Sequence, residues 1–120
     1  MNLLLDTNVI LYYLAGNQRL ALLLDGVEVS LSFISVVELL SYPDIETDEE
    51  EKIQTFLSEC TIISESEPIR TQTILIRRKF NLKVPDAFVA ATSIERDIPL
   101  LSADKNFSKV EDLLFIDFEI

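Results

Sequence analysis

Four carboxylates stand at points where one sequence pattern gives way to another: Asp6, Glu38, Asp86 and Asp104. Asp6 closes the apolar run Leu3-Leu4-Leu5. Glu38 lies three residues beyond Ser35, at the start of a helical pattern. Asp86 follows Pro85, and Asp104 follows Leu100-Leu101-Ser102 by two residues. Histidine is absent from the chain, which excludes Ser-His-Asp and Cys-His catalysis and His-dependent zinc sites. Acid–base or metal chemistry is left to carboxylates, hard oxygen ligands suited to Mg²⁺, Mn²⁺ or Ca²⁺. Each of the four also has an ordinary structural role. Asp6 can cap a helix, Glu38 can complete a capping box with Ser35, Asp86 suits a helix start, and Asp104 can form an Asx-turn.

The elements that would position them can be read in order. Asn2 to Asp6 reads as a strand and Thr7 to Leu14 as a short helix. Gly16-Asn17 breaks the chain before a second helix over Arg19 to Leu24. Val27 to Phe33 alternates apolar with polar residues and predicts a strand. A short helix capped by Ser35 ends before Pro43. The acidic run Asp44 to Glu51 leads into a helix whose apolar side is Ile53, Phe56 and Leu57, and it reads as a solvated face. Thr61 to Ile63 predicts a strand. A long helix runs from Pro68 to about Phe80, with Ile69, Thr73, Ile76 and Phe80 along one side. Pro85 takes the first position of the next helix, whose small face is Ala87, Ala90 and Ala91 with Ile94. Leu100 to Ser102 and Leu114 to Phe118 are the last strands.

Strands alternating with helices throughout imply right-handed crossovers and a parallel sheet between helical layers. In that architecture strand ends and helix starts share one edge, so carboxylates scattered along the chain converge there. Four negative charges in one region either raise some pKa values or recruit a cation. A divalent metal is the economical resolution, and an all-oxygen site suits Mg²⁺ or Mn²⁺. Such a site can activate water for phosphodiester hydrolysis without a histidine base. Asp6 and Asp104 are the first choice as ligands. Asp86 could ligate directly or hold a metal-bound water, and Glu38 could do the latter or help deprotonate that water. Thr7, Asn8, Ser102 and Asn106 are placed to orient these groups.

Composition sets bounds on this reading. A chain of 120 residues has room for one sizeable core, and a single domain spanning 1–120 is expected. No apolar run approaches the roughly 18 residues of a membrane span. The N-terminus lacks a basic region, so no signal peptide is expected. The lone Cys60 cannot form an internal disulfide, which fits a cytoplasmic location. Net charge is −11, which disfavours non-specific nucleic-acid binding, yet half of the Lys and Arg residues lie between Arg70 and Lys83. Arg70, Arg77, Arg78, Lys79 and Lys83 form a basic segment leading into Asp86. A phosphate backbone drawn to it would pass the carboxylates, with local and salt-sensitive binding.

Leu-Leu-Leu-Asp6-Thr-Asn, Ser35-Val-Val-Glu38-Leu, Pro85-Asp86-Ala-Phe-Val-Ala-Ala-Thr and Leu-Leu-Ser102-Ala-Asp104-Lys-Asn-Phe107 together resemble PIN-domain ribonucleases. Their order and the chain length are most similar to VapC-type toxins of bacterial toxin–antitoxin pairs. The resemblance covers essentially the whole chain. It implies a three-layer α/β/α fold around a parallel sheet of about five strands and Mg²⁺- or Mn²⁺-dependent endoribonuclease activity. It implies a homodimer and inhibition by a cognate antitoxin that enters the active site. It carries over Asp6, Glu38, Asp86 and Asp104 as the acidic quartet, with Ser102 at the hydroxyl position and Thr7-Asn8 after the first Asp. The acidic net charge sits less comfortably with an RNA substrate and would suit a basic antitoxin segment.

Three other readings compete. A receiver-like phosphoacceptor domain also gathers acidic residues at a sheet edge with Mg²⁺. It requires paired acidic residues at the first strand and a Lys after a late strand, and neither is present at the right place. A phosphatase requires Asp two residues after the first nucleophile, where this chain has Asn8. A non-catalytic metal-binding interaction module would bind metal and cleave no RNA.

Overall fold

The computed structural model describes residues 1–120. Its first half runs β1 (Asn2–Leu5), α1 (Thr7–Leu14), α2 (Gln18–Leu23), β2 (Glu28–Ser32), α3 (Phe33–Leu40), α4 (Thr47–Ser58) and β3 (Thr61–Ile63). The second half runs α5 (Glu67–Phe80), α6 (Val84–Arg96), β4 (Leu100–Ser102), a short 3-10 helix (Lys105–Lys109) and β5 (Phe115–Asp117). The five strands form one sheet in the order β3-β2-β1-β4-β5, and every pairing is parallel. The expected α/β fold with a five-stranded parallel sheet is therefore present.

Strand β1 shows why both faces must be covered. Leu3 and Leu5 point into a core shared with Val9 and Ile10 of α1, Leu20 of α2, Leu39 of α3 and Ile53 of α4. Leu4 points the opposite way, into a core with Leu100, Ile69 and Ile76 of α5 and Ala87, Ala90 and Ala91 of α6. Successive strand side chains alternate faces, so three leucines in a row require helices on both sides. Burying each of them is worth about 2 kcal/mol. The same double cover explains why Ser30 and Ser32 of β2 are buried despite the alternating pattern. Ser30 Oγ donates to Asn2 Oδ1 at 2.9 Å, and Ser32 caps a helix.

From β1 the chain moves outward to β2 and β3, then returns through α5 and α6 to β4 on the other side of β1. The β1–β4 junction is thus the topological switch point, and in open α/β sheets ligands bind outside the carboxyl ends of the strands at such a point.

One predicted element starts elsewhere. The helix carrying Glu38 begins at Phe33, and its cap is Ser32, whose Oγ accepts from the Ile34 amide at 3.2 Å. Ser35 is therefore the third residue of α3 and Glu38 the sixth, so the two form no capping box. Phe33 draws the helix start forward, because its ring packs edge-on against Phe88 of α6, with centroids 5.0 Å apart. A smaller shift occurs in α6, where Val84 precedes Pro85 within the first turn. The α5 helix ends at Asn81 in the left-handed region, φ 55°, a conformation that Asn tolerates. No helix is long and apolar enough to cross a membrane.

Candidate active site

Asp6 is the residue on which the site is built. It follows β1, caps α1 and is 6% exposed. Its Oδ1 accepts from the Thr7 amide at 2.9 Å. Its Oδ2 accepts from Ser102 Oγ at 2.7 Å and from Asn8 Nδ2 at 3.3 Å. Ser102 ends β4, so the Asp6–Ser102 bond ties the two strands together across the switch point. Asn8 adds a second tie, accepting from the Ala103 amide at 3.3 Å. Ser102 Oγ also accepts from the Asp104 amide at 3.0 Å. One hydroxyl therefore touches the carboxylate of Asp6 and the backbone that presents Asp104.

The other three carboxylates reach this edge from different elements. Asp104 caps the 3-10 helix, with Oδ1 accepting from the Asn106 amide at 2.9 Å, the Asx-type arrangement its sequence suggests. Asp86 lies in the first turn of α6 and is half-buried. Glu38 is exposed on α3, and its Oε1 accepts from Thr7 Oγ1 at 2.7 Å.

The charges act on one another. Burial is the largest influence on Asp6, and with the Asp86 and Glu38 charges it raises the pKa from 3.8 to about 6 against the opposing Ser102 and Thr7 hydrogen bonds. Asp86 is also raised, by burial first, then by Asp104 and Glu38, with the Lys83 ammonium offsetting part of the rise. These couplings place all four carboxylates in one electrostatic neighbourhood. No three of them stand close enough to surround a single ion as placed. The donor set, oxygen throughout and backed by hydroxyl and amide groups, fits a hard divalent cation and no soft one.

The basic segment divides in two. Arg70 pairs with Glu65 at 2.7 Å and Lys79 with Glu111 at 3.6 Å. Arg77 and Arg78 line a groove of about 430 Å³ with Thr73, Ile74, Asn81 and Val84, and Lys83 directly precedes α6. A second pocket of about 420 Å³, lined by Tyr13, Val29, Phe56 and Cys60 among others, lies at the amino ends of β2 and β3, the opposite edge of the sheet. Burial and then Glu59 push the Cys60 thiol up to about 11, so it is no thiolate nucleophile.

One hydroxyl expected at a helix cap has a different role. Ser35 is fully buried inside α3, and its Oγ lies 3.1 Å from Thr7 Oγ1. The spacing of three residues between Ser35 and Glu38, which suggests a capping box, also puts both on one helix face once the helix starts at Phe33.

A protein-family model described as "PIN domain" matches residues 3–113. No curated protein matches the chain. Among solved structures, VapBC2 from Rickettsia felis, bound to a promoter DNA fragment, superposes with a TM-score of 0.84 at 20% identity, covering 99% of this chain and 100% of that one. A toxin–antitoxin complex from Klebsiella pneumoniae gives 0.84 at 23% identity, with 98% of both chains covered. FitAcB from Neisseria gonorrhoeae gives 0.79 at 24% identity, with 96% of both chains covered. At these identities the likeness is one of fold.

Proposed function

The chain belongs to the PIN domain family, and on that basis we propose that it is a Mg²⁺- or Mn²⁺-dependent endoribonuclease and the toxin of a toxin–antitoxin pair. The observation that carries this reading is Asp6. It is a buried carboxylate tied to Ser102 across the switch point and raised to about 6, with the charges of Asp86 and Glu38 bearing on it. Evolution of a fold seldom keeps an uncompensated carboxylate cluster for stability, because desolvation and repulsion both oppose it.

Asp6, Asp86 and Asp104, which as placed do not surround one ion directly, would hold the cation in part through its retained waters, as Mg²⁺ commonly requires. When bound, it supplies charge to the phosphate and acidity to an attacking water. Ser102 and Asn8 fix the Asp6 carboxylate, and Ser102 fixes the start of the Asp104 turn. Glu38 keeps Oε2 free of protein hydrogen bonds, so it is available to accept the water proton as the oxygen attacks phosphorus and one P–O ester bond breaks. Arg78 and Lys83 draw the flanking phosphates, beside Arg77, whose guanidinium also donates to the Leu82 carbonyl, while the acidic remainder of the surface repels other nucleic acid. Arg70 and Lys79 serve this less well, being engaged by Glu65 and Glu111.

The K. pneumoniae structure is described as a toxin–antitoxin complex, which supports an antitoxin partner here. A basic antitoxin segment would neutralise the same four charges. A homodimer belongs to the same reading. The test is purified protein against structured RNA, with Mn²⁺ and with chelator, alongside the Asp6→Asn, Asp86→Asn and Asp104→Asn variants. Cleavage lost in chelator and in each folded variant supports the reading. Metal binding without any RNA cleavage would leave a metal-binding interaction module in its place.

A further inference from the structure

Helix α3 carries two polar residues on the side facing α1, Ser35 and Glu38, and both meet the hydroxyl of Thr7. Thr7 Oγ1 stands 2.7 Å from Glu38 Oε1 and 3.1 Å from Ser35 Oγ. Thr7 has one hydroxyl proton. An ionised Glu38 can only accept, so that proton belongs to Glu38. Ser35 must then donate to Thr7 Oγ1, and the three groups form a directed chain. Ser35 is fully buried, and Thr7 is its only side-chain partner. A hydroxyl so placed has nothing else to do with its proton. Glu38, by contrast, is an exposed side chain on a short helix, with several rotamers open to it unless something holds one.

We propose that Ser35, acting through Thr7, is a positioning residue that selects the rotamer in which Glu38 Oε1 meets Thr7 and Oε2 stays free of protein hydrogen bonds. Polarisation along the chain strengthens the Thr7–Glu38 bond, because a hydroxyl that accepts a hydrogen bond donates a stronger one. The role rests on the metal-dependent reading above, since Glu38 matters to a cation or a water only there. Loss of such a supporting hydrogen bond typically weakens metal binding or activity about tenfold or more.

The test is a double-mutant cycle between Ser35→Ala and Glu38→Gln, with Thr7→Val and Thr7→Ser beside it. Mn²⁺ affinity is read by calorimetry, and RNA cleavage and metal-free thermal unfolding are read on the same samples. Ser35→Ala and Thr7→Val are expected to weaken Mn²⁺ binding or cleavage roughly tenfold. Thr7→Ser, which keeps the hydroxyl, should lose far less than Thr7→Val, and Ser35→Ala should add nothing in the Glu38→Gln background. Effects of Ser35→Ala that are absent, or that add in full to Glu38→Gln while tracking the loss of thermal stability, would make Ser35 a packing residue and overturn the role, with the nuclease reading intact. A wild-type protein that neither binds Mn²⁺ nor cleaves RNA would overturn the nuclease reading and this role together.

Discussion

Replacing Asp6 by Asn should make the metal-free protein more stable at neutral and basic pH. The side chain is 6% exposed. Burial, reinforced by Asp86 and Glu38, lifts its pKa from 3.8 to about 6. The folded protein then holds the Asp6 proton more tightly than the unfolded chain does. This group's contribution is most favourable below about pH 4, declines as pH rises through the folded pKa near 6, and is least favourable above it. The full difference is about 3 kcal/mol, at roughly 1.4 kcal/mol per pH unit. Asn keeps the shape and loses the charge. It presents one acceptor oxygen where Asp6 accepts from Thr7, Asn8 and Ser102 on two. The mismatch costs about 1 kcal/mol. The net expectation at pH 8 is a gain of about 2 kcal/mol, or roughly 6–10 °C in melting temperature for a chain of this length. At pH 4 the gain disappears and a small loss remains. Urea and thermal unfolding in chelator, at pH 4, 6 and 8, measure the difference between the two proteins directly. An Asp6→Asn variant no more stable than wild type at pH 8, or equally stabilised at pH 4, would refute the account of Asp6 as a carboxylate strained by burial and like charge.

Mn²⁺ should reverse the order of stability: at a hundredfold excess over its dissociation constant it adds about 2.7 kcal/mol to the wild type and little to Asp6→Asn or Asp104→Asn, as a thermal melt would report. Ser102→Ala removes a buried group that donates to Asp6 and accepts from the Asp104 amide. It should cost about 1–3 kcal/mol and move the Asp6 pKa above 6, because a hydrogen bond to the charged form is lost, a shift readable by carbon-13 NMR titration. Arg78→Gln should weaken RNA binding similarly for different sequences and lower the slope of log affinity against log salt by about 0.7–0.9. Arg70→Gln, already engaged by Glu65, should change it less.

Legibility differed from element to element. The β1–α1 unit was read to within a residue, because Leu3-Leu4-Leu5 followed by Asp6 and Thr7 states a buried strand and a helix cap within five positions. The start of α3 is not legible locally, because Ser32 and Ser35 are both competent caps. The choice between them was made by Phe33 packing on Phe88, a contact between residues 55 positions apart by their numbers. The basic segment was visible as composition, but its division into paired and available cations depends on Glu65 and Glu111 lying beside it.

Residue types and local periodicity by themselves determined the α/β order, the parallel sheet and the four carboxylates, since strand length, cap chemistry and turn residues act over a few positions. Only the tertiary structure decided that Ser102 binds Asp6 from 96 positions away, that Ser35 is an internal hydroxyl aimed at Thr7, and that Asp6 is raised to about 6. Hydrogen bonds across a switch point and the desolvation of a charge arise from what distant strands and helices bring alongside, and no local stretch of chain contains that information.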